Sequence, residues 1–243
     1  MLPILFDSSF FTLYSYPMFM GLAWGIAYFL TQFLFDKYNE DSTGLFKLYA
    51  GIFIFAWIGA KVFFLYFSSQ DKFYQYLYAD YFWLGGGFVF YGGLIFGIIF
   101  YLIYSLIFKK FDFQKGYLLI PGLAFGHAVG RLGCLLTGCC YGALCRLPWA
   151  IKTNSGLRHP VQLYEAISLF VIGFLVFGWI KRQKNNKSVV LNYIFIYSIV
   201  RFFIEFFRGD EVRGIFWFQL SSSQLISIGL FVSAIFVKYK RKI

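Results

Sequence analysis

Apolar runs of about twenty residues recur along this chain, parted by short stretches rich in Gly, Lys, Asn and Asp. That length matches a helix crossing the ~30 Å hydrocarbon layer of a bilayer. The pattern predicts seven spanning helices, at 14–35, 46–67, 84–108, 116–136, 162–180, 189–207 and 218–238. The expected fold is all-α and polytopic: a single integral membrane domain over residues 1–243, with a small extracytoplasmic segment at 137–161. Gly85, Gly86 and Gly87 open the third span, and Gly92 and Gly93 interrupt it after Tyr91. The segment 137–161 carries Gly138, Gly142, Pro148, Gly156 and Pro160. Broken backbone at membrane depth is tolerated only where protein or a cavity surrounds it. These glycines either let a ligand approach the backbone or let helices pack closely, and the sequence leaves both open.

Composition agrees with the pattern. The chain is 60% hydrophobic and 14% charged, with 35 Phe and 19 Tyr, and its mean hydropathy is +0.67. That excludes a disordered chain and leaves too little polar surface for a soluble one. The start, MLPILFDSSF, has no basic region before its apolar residues, so the first span is expected to do the targeting. The net charge of +11 is distributed unevenly. The connections KYNEDSTGLFK, KKFDFQK and KRQKNNK and the tail KYKRK hold thirteen Lys and Arg. The opposite set holds six: Lys72, Arg146, Lys152, Arg158, Arg208 and Arg213. Lys/Arg bias places the first set in the cytoplasm, with the N-terminus outside and the C-terminus inside. The basic residues flank helices and form no stripe for nucleic acid, so no nucleic-acid partner is expected.

Three basic residues, Lys61, Arg131 and Arg201, fall in or at the edges of spans. A charge at that depth is costly and faces a protein interior or a wet cavity. Under the predicted topology, Tyr16, Tyr91, His127, Arg131, Arg158, His159, Gln162, Tyr164, Glu165, Arg201, Glu205 and Arg208 share one outer level. Guanidinium forks at that level suit a phosphate or carboxylate. Arg201 and Glu205, spaced i,i+4, pair on one helical face. That pair either accommodates Arg201 in the bundle or aims its free edge at a substrate. Glu165 falls in the early turns of a helix opened by Pro160, where an acid is electrostatically favoured. His127 and His159 are each suited to proton transfer near neutral pH, or to simple packing.

Cys134, Cys139, Cys140 and Cys145 lie within one short segment, RLGCLLTGCCYGALCR. A tetrathiolate metal site, disulfides from Cys139 and Cys140 to Cys134 and Cys145, a reactive thiol and plain buried thiols all remain open.

The segments GGGFVFYGGLIFG, GHAVGRLGCLLTGCCYG, LRHPVQLYE and RFFIEFFRGD together resemble the prolipoprotein diacylglyceryl transferase family over nearly the full length. The resemblance implies a seven-helix plasma-membrane enzyme with an extracytoplasmic head. It implies transfer of diacylglycerol from phosphatidylglycerol to the lipobox cysteine of a prolipoprotein, releasing glycerol 1-phosphate. Arg131 and Gly133 match the family's GRxGN signature, and Gly142 its closing glycine. Arg201 and Glu205 match its RFxxE motif. Arg158, His159, Pro160, Gln162, Tyr164 and Glu165 match RHPxQLYE, and Tyr16 matches a tyrosine of the first span. There are departures too. Tyr91 stands where the family has the histidine proposed as its proton acceptor. Cys134 and Thr137 replace signature asparagines, and Cys139 replaces a glutamate. The outer extension before the last span is reduced to RGDEVRGIFWF.

The expected catalytic residues are therefore Arg131, Arg201, Glu205, Tyr91, Cys139 and His159. Those expected to bind substrate are Tyr16, Gly92, Gly93, His127, Cys134, Gly142, Arg158, Gln162 and Glu165. No cofactor and no metal is expected. The expected partners are phosphatidylglycerol and a prolipoprotein or other thiol acceptor, in the bacterial inner membrane. A membrane thiol-redox or sulfur-handling protein using the four cysteines is the alternative. A non-catalytic lipid-binding or transport protein is a third reading.

Overall fold

The computed structural model describes residues 2–8, 12–67, 74, 78, 89–108, 113–182, 186–209 and 220–240, with backbone alone at 67, 90, 91, 113, 114, 186, 187 and 239. Among them are seven long helices: α1 (Ser15–Lys37), α2 (Leu45–Phe67), α3 (Phe90–Ile107), α4 (Leu119–Thr137), α5 (Val161–Arg182), α6 (Asn186–Ile204) and α7 (Ser222–Tyr239). Two short antiparallel hairpins accompany them, β1 (Ile4–Asp7) with β2 (Thr12–Tyr14) and β3 (Ile151–Thr153) with β4 (Gly156–Arg158). Five helical stretches are long and apolar enough to cross a membrane: Ser15–Lys37, Leu45–Tyr66, Lys115–Thr137, Val161–Arg182 and Ser188–Phe207. The other two, Gly92–Ile107 and Ser222–Lys238, are shorter apolar helices, so five of the seven expected spans are supported at full length. Gly85, Gly86, Gly87 and the stretch 210–219 lie outside the described residues.

The residue distribution is that of a protein dissolved in lipid. Phe29, Phe46, Leu106 and Phe174 are each about two-thirds exposed, whereas Gln162, Glu165, Arg201 and Glu205 are buried. In hydrocarbon, apolar side chains need no cover and polar ones need partners.

Two compact units make up the chain: residues 1–34 with 114–243, and residues 35–113. In the second unit α2 and α3 pack through glycines. A Cβ on Gly92 would fall 2.3 Å from Gly59 O, and one on Gly93 3.0 Å from Ala56 O. Close helix packing is thus the role this geometry supports for Gly92 and Gly93. Lys61 of α2 is fully buried, and the side chain of Tyr91 lies outside the described residues.

The first unit holds most of α1 together with α4 to α7. Glycines at 122, 126 and 133 recur on one face of α4 and bring α1 close. A Cβ at Gly122 would lie 2.5 Å from Ala27 O, one at Gly126 2.8 Å from Ala23 O, and one at Gly133 2.7 Å from Phe19 Cβ. Gly173 of α5 seats the Phe125 ring of α4 in the same way. α6 meets α7 through the stacked Phe195 and Phe231 rings, 5.0 Å apart.

Helix ends are set by local chemistry. α4 ends at Gly138, whose left-handed backbone (φ 83°) carries an N–H that bonds Cys134 O. Pro160 precedes α5, and its carbonyl accepts from Leu163 and Tyr164. Ser221 and Gln224 form a reciprocal capping box on α7. The segment between α4 and α5 is tied down rather than loose. Gly142 and Arg208 form a β-bridge, Ala143 N donates to Phe207 O, and Gly209 N donates to Tyr141 O. The N-terminal hairpin is held to the same end, with Leu2 N donating to Leu136 O.

Candidate active site

Four helix ends of the first unit place their polar residues together. Arg131 lies on α4, Glu165 on α5, and Arg201 and Glu205 at the end of α6. Arg131 Nε stands 3.0 Å from Glu165 Oε2, and Arg201 Nη1 stands 4.0 Å from the same oxygen. His127 Nε2 is 3.6 Å from Glu165 Oε1. Arg201 Nη2 reaches Glu205 Oε2 at 2.7 Å and donates to Ser223 Oγ of α7 at 3.0 Å. Arg208 Nη1 approaches Glu205 Oε2 at 3.9 Å. The two arginines thus converge, with Glu165 between them. Glu165 is only 2% exposed. It is therefore the shared counter-charge of Arg131 and Arg201, a larger role than favouring the start of α5.

Removing one partner from such a buried ion group costs about 3–5 kcal/mol, because a charge is left uncompensated. Counted by side chain, three guanidiniums (Arg131, Arg201, Arg208) face two carboxylates (Glu165, Glu205). Arg131 Nε, Arg201 Nη1, Gln162 Oε1 and Glu165 Oε1 are buried without a hydrogen-bond partner among the described residues. Buried polar atoms are nearly always bonded, so orphans in one place point to a group that completes them.

The cysteine segment lies beside this centre. Gln162 Nε2 donates to Cys139 O at 2.6 Å, fixing the turn after Gly138 onto α5. Cys140 takes a left-handed backbone (φ 56°), a conformation costing a non-glycine residue about 1–2 kcal/mol. The sulfurs of Cys134, Cys139 and Cys140 all lie within 4.8 Å of one another. All four cysteines are free thiols, and no disulfide joins them. Three thiols converge rather than four, because Cys145 is drawn into the hairpin, its N–H bonded to Leu157 O. Hydrogen bonds from Cys134 and Cys139, aided by the Arg131 and Arg208 charges, hold the Cys140 thiol far below the ordinary thiol range. Cys139, which gives those bonds, is pushed up. Tyr16 is within electrostatic reach of Arg131 and of these three thiols, and its ring passes 3.9 Å from a Cβ built on Gly133.

Other expected site residues have structural partners. Arg158 donates from Nη1 to Gly142 O (3.0 Å) and from Nε to Ser155 Oγ (2.9 Å), with its guanidinium 4.5 Å over the Tyr141 ring. It braces the segment between α4 and α5. Gly142 lies so close to His159 O that a Cβ would fall 2.3 Å from it. His159 Nδ1 is 3.3 Å from the Tyr164 hydroxyl, which itself accepts from Trp149 Nε1 at 2.7 Å. His127 therefore has the closer relation to the charged centre.

The sequence reading did not single out Ser223, Tyr193 or Tyr197. The Tyr193 and Tyr197 rings stack at 5.9 Å, and Tyr197 lies 5.9 Å from the His127 ring. A signal for the tyrosines exists. Residues 193, 197, 201 and 205 are spaced four apart, a polar stripe down an otherwise apolar helix.

Fold and site together define a class: a helical membrane protein with a cationic polar centre built among its helix ends. The chain belongs to the prolipoprotein diacylglyceryl transferase family, whose model matches residues 3–239. It is 33% identical over 236 residues to phosphatidylglycerol–prolipoprotein diacylglyceryl transferase 2 of Clostridium perfringens, covering 92% of this chain and 89% of that protein. It is 36% identical over 162 residues to the phosphatidylglycerol–prolipoprotein diacylglyceryl transferase of Clostridium tetani, covering 63% of this chain and 64% of that protein. Identity to the Haemophilus influenzae (strain PittEE) protein of that name is 31% over 265 residues, covering 98% of this chain and 94% of that protein.

Proposed function

We propose that this chain takes phosphatidylglycerol from the bilayer and transfers its diacylglyceryl group to a cysteine thiol of a prolipoprotein. The reaction releases glycerol 1-phosphate. The observation that carries this reading is the convergence of two buried guanidiniums, Arg131 and Arg201, on the one carboxylate of Glu165. A phosphodiester is an anion whose oxygens suit the planar N–H forks of two such arginines.

Arg131 and Arg201 grip the phosphate and stabilise charge on the departing oxygen. Glu165 keeps two like charges together in the absence of lipid. Glu205 orients Arg201. The acceptor sulfur attacks the glycerol carbon next to the phosphate, and the C–O bond breaks as the S–C bond forms. His127, 3.6 Å from Glu165, takes the thiol proton. The enzyme works in the bacterial inner membrane as one multi-pass domain of seven spans. Its N-terminus and the segment 137–161 lie outside, and its C-terminus lies in the cytoplasm.

The test is transfer from radiolabelled phosphatidylglycerol to a peptide bearing a lipobox cysteine. Wild-type protein labels the peptide thiol, and an Arg131→Ala protein that still inserts and folds does not. Absence of transfer by folded wild type would overturn the reading. The thiol trio favours one second reading, a thiol-redox protein. Intact mass with and without reductant separates the two, since a redox role requires a reducible form of the isolated protein.

A further inference from the structure

The phosphate grip proposed above uses none of the three converging thiols. Their geometry is that of a ligand set. Sulfurs within 4.8 Å of one another define a centre about 2.8 Å from each, and small side-chain rotations close that to the ~2.3 Å of a zinc–thiolate bond. Cys139 and Cys140 are partly exposed, and Cys134 closes the set from the last turn of α4. The backbone is arranged for it: Gly138 and Cys140 both take left-handed conformations, and Gln162 clamps the Cys139 carbonyl between them. A cysteine held in a disfavoured conformation at a charged centre marks a position fixed for a purpose other than folding.

Three ligands rather than four is the informative number. Structural zinc sites close with four protein ligands, whereas catalytic ones keep a position open. The fourth cysteine of the segment is held away in the hairpin.

We propose that Cys134, Cys139 and Cys140 bind a zinc ion whose open position takes the acceptor cysteine as its thiolate. This departs from the sequence expectation of a metal-free site, and it rests on the transferase reading above. A thiol that coordinates zinc is deprotonated outright. The ion thus supplies the nucleophile in a chain where Tyr91 occupies the position of the family's proton acceptor. The chemistry balances without an oxidant. The acceptor S–H proton is released to solvent at the partly exposed Cys139 and Cys140, and the bound sulfur attacks the glycerol carbon. The S–C bond forms while the C–O bond breaks, and the electron pair departs on the phosphate oxygen. The thioether product is neutral, a weaker ligand, and dissociates. Arg131 and Arg208, both in electrostatic reach of the Cys140 sulfur, offset the negative charge of a zinc ion with three thiolates.

The experiment uses purified full-length protein. Elemental analysis after dialysis against zinc should find one equivalent retained by wild type and by Cys145→Ser. A Cys139→Ser/Cys140→Ser double variant with unchanged circular dichroism should retain none. With cadmium in place of zinc, the thiolate-to-metal absorption should rise by about a third when a cysteine-bearing acceptor peptide supplies a fourth thiolate. The same peptide with serine should change nothing. Failure of wild type to bind zinc, or cadmium absorption indifferent to the peptide, overturns the proposal. Lipid transfer measured on the same preparations keeps the two questions apart. Transfer by metal-free protein removes the zinc and leaves the transferase. Zinc and peptide binding without transfer removes the transferase.

Discussion

Glu165 shows how much a single side chain takes from its surroundings. Its carboxylate meets Arg131, Arg201 and His127, which come from two other helices. Spacing alone offered an acid near a helix start, and the family resemblance a substrate-binding residue. Arg201 was legible in more detail, because an i,i+4 carboxylate is a local matter, and the 2.7 Å contact to Glu205 follows from helix geometry alone. Its fork also serves Ser223, which no spacing rule reaches. An Arg201→Lys change keeps the charge but cannot make these contacts at once. Expected is a fall in kcat of about 10²–10³-fold, read by labelled-lipid transfer on protein that elutes as wild type in size exclusion. A rate within about twofold of wild type would show that a point charge suffices.

At the level of elements, the glycines of α4 do the positioning. Gly122 and Gly126 let α1 approach the helix that carries His127 and Arg131. Gly126→Leu would wedge the pair apart, since its Cβ already meets Ala23 O at 2.8 Å. Overpacking of this kind costs about 1–3 kcal/mol and lowers Tm by about 2–10 °C. Gly178→Leu is the control. Nothing lies within 4 Å of its Cβ position, so its melting point should stay within about 2 °C of wild type. Equal melting of all three proteins would remove α1–α4 contact from the account. Helix positions themselves were legible. α1, α2, α4 and α5 begin and end within about three residues of the hydropathy reading, as expected where long apolar periods dominate. The two hairpins were not foreseen, because strands of three or four residues carry too little pattern to register.

For the whole molecule, the uneven Lys and Arg distribution predicts an orientation that the fold alone does not give. Alkaline phosphatase inserted at Asn154, in the exposed turn between β3 and β4, should be active in intact cells. Green fluorescent protein fused after Ile243 should fluoresce. The opposite pair of results would invert the membrane orientation and put the arginine centre on the cytoplasmic face. The reduced extension RGDEVRGIFWF, read as limiting the outer head, falls mostly in 210–219, outside the described residues.

The sequence by itself determined the solvent of this protein and the number of its long helices. Those depend on hydropathy and spacing, which are local and additive along the chain. Tertiary structure alone decided that Glu165 stands between Arg131 and Arg201. It also decided that Arg158 bonds Gly142 O in the segment between α4 and α5, and that three cysteines meet while the fourth is withdrawn. Each of these outcomes is a distance between residues on different elements, set by how closely glycine faces let helices approach and by where each helix stops.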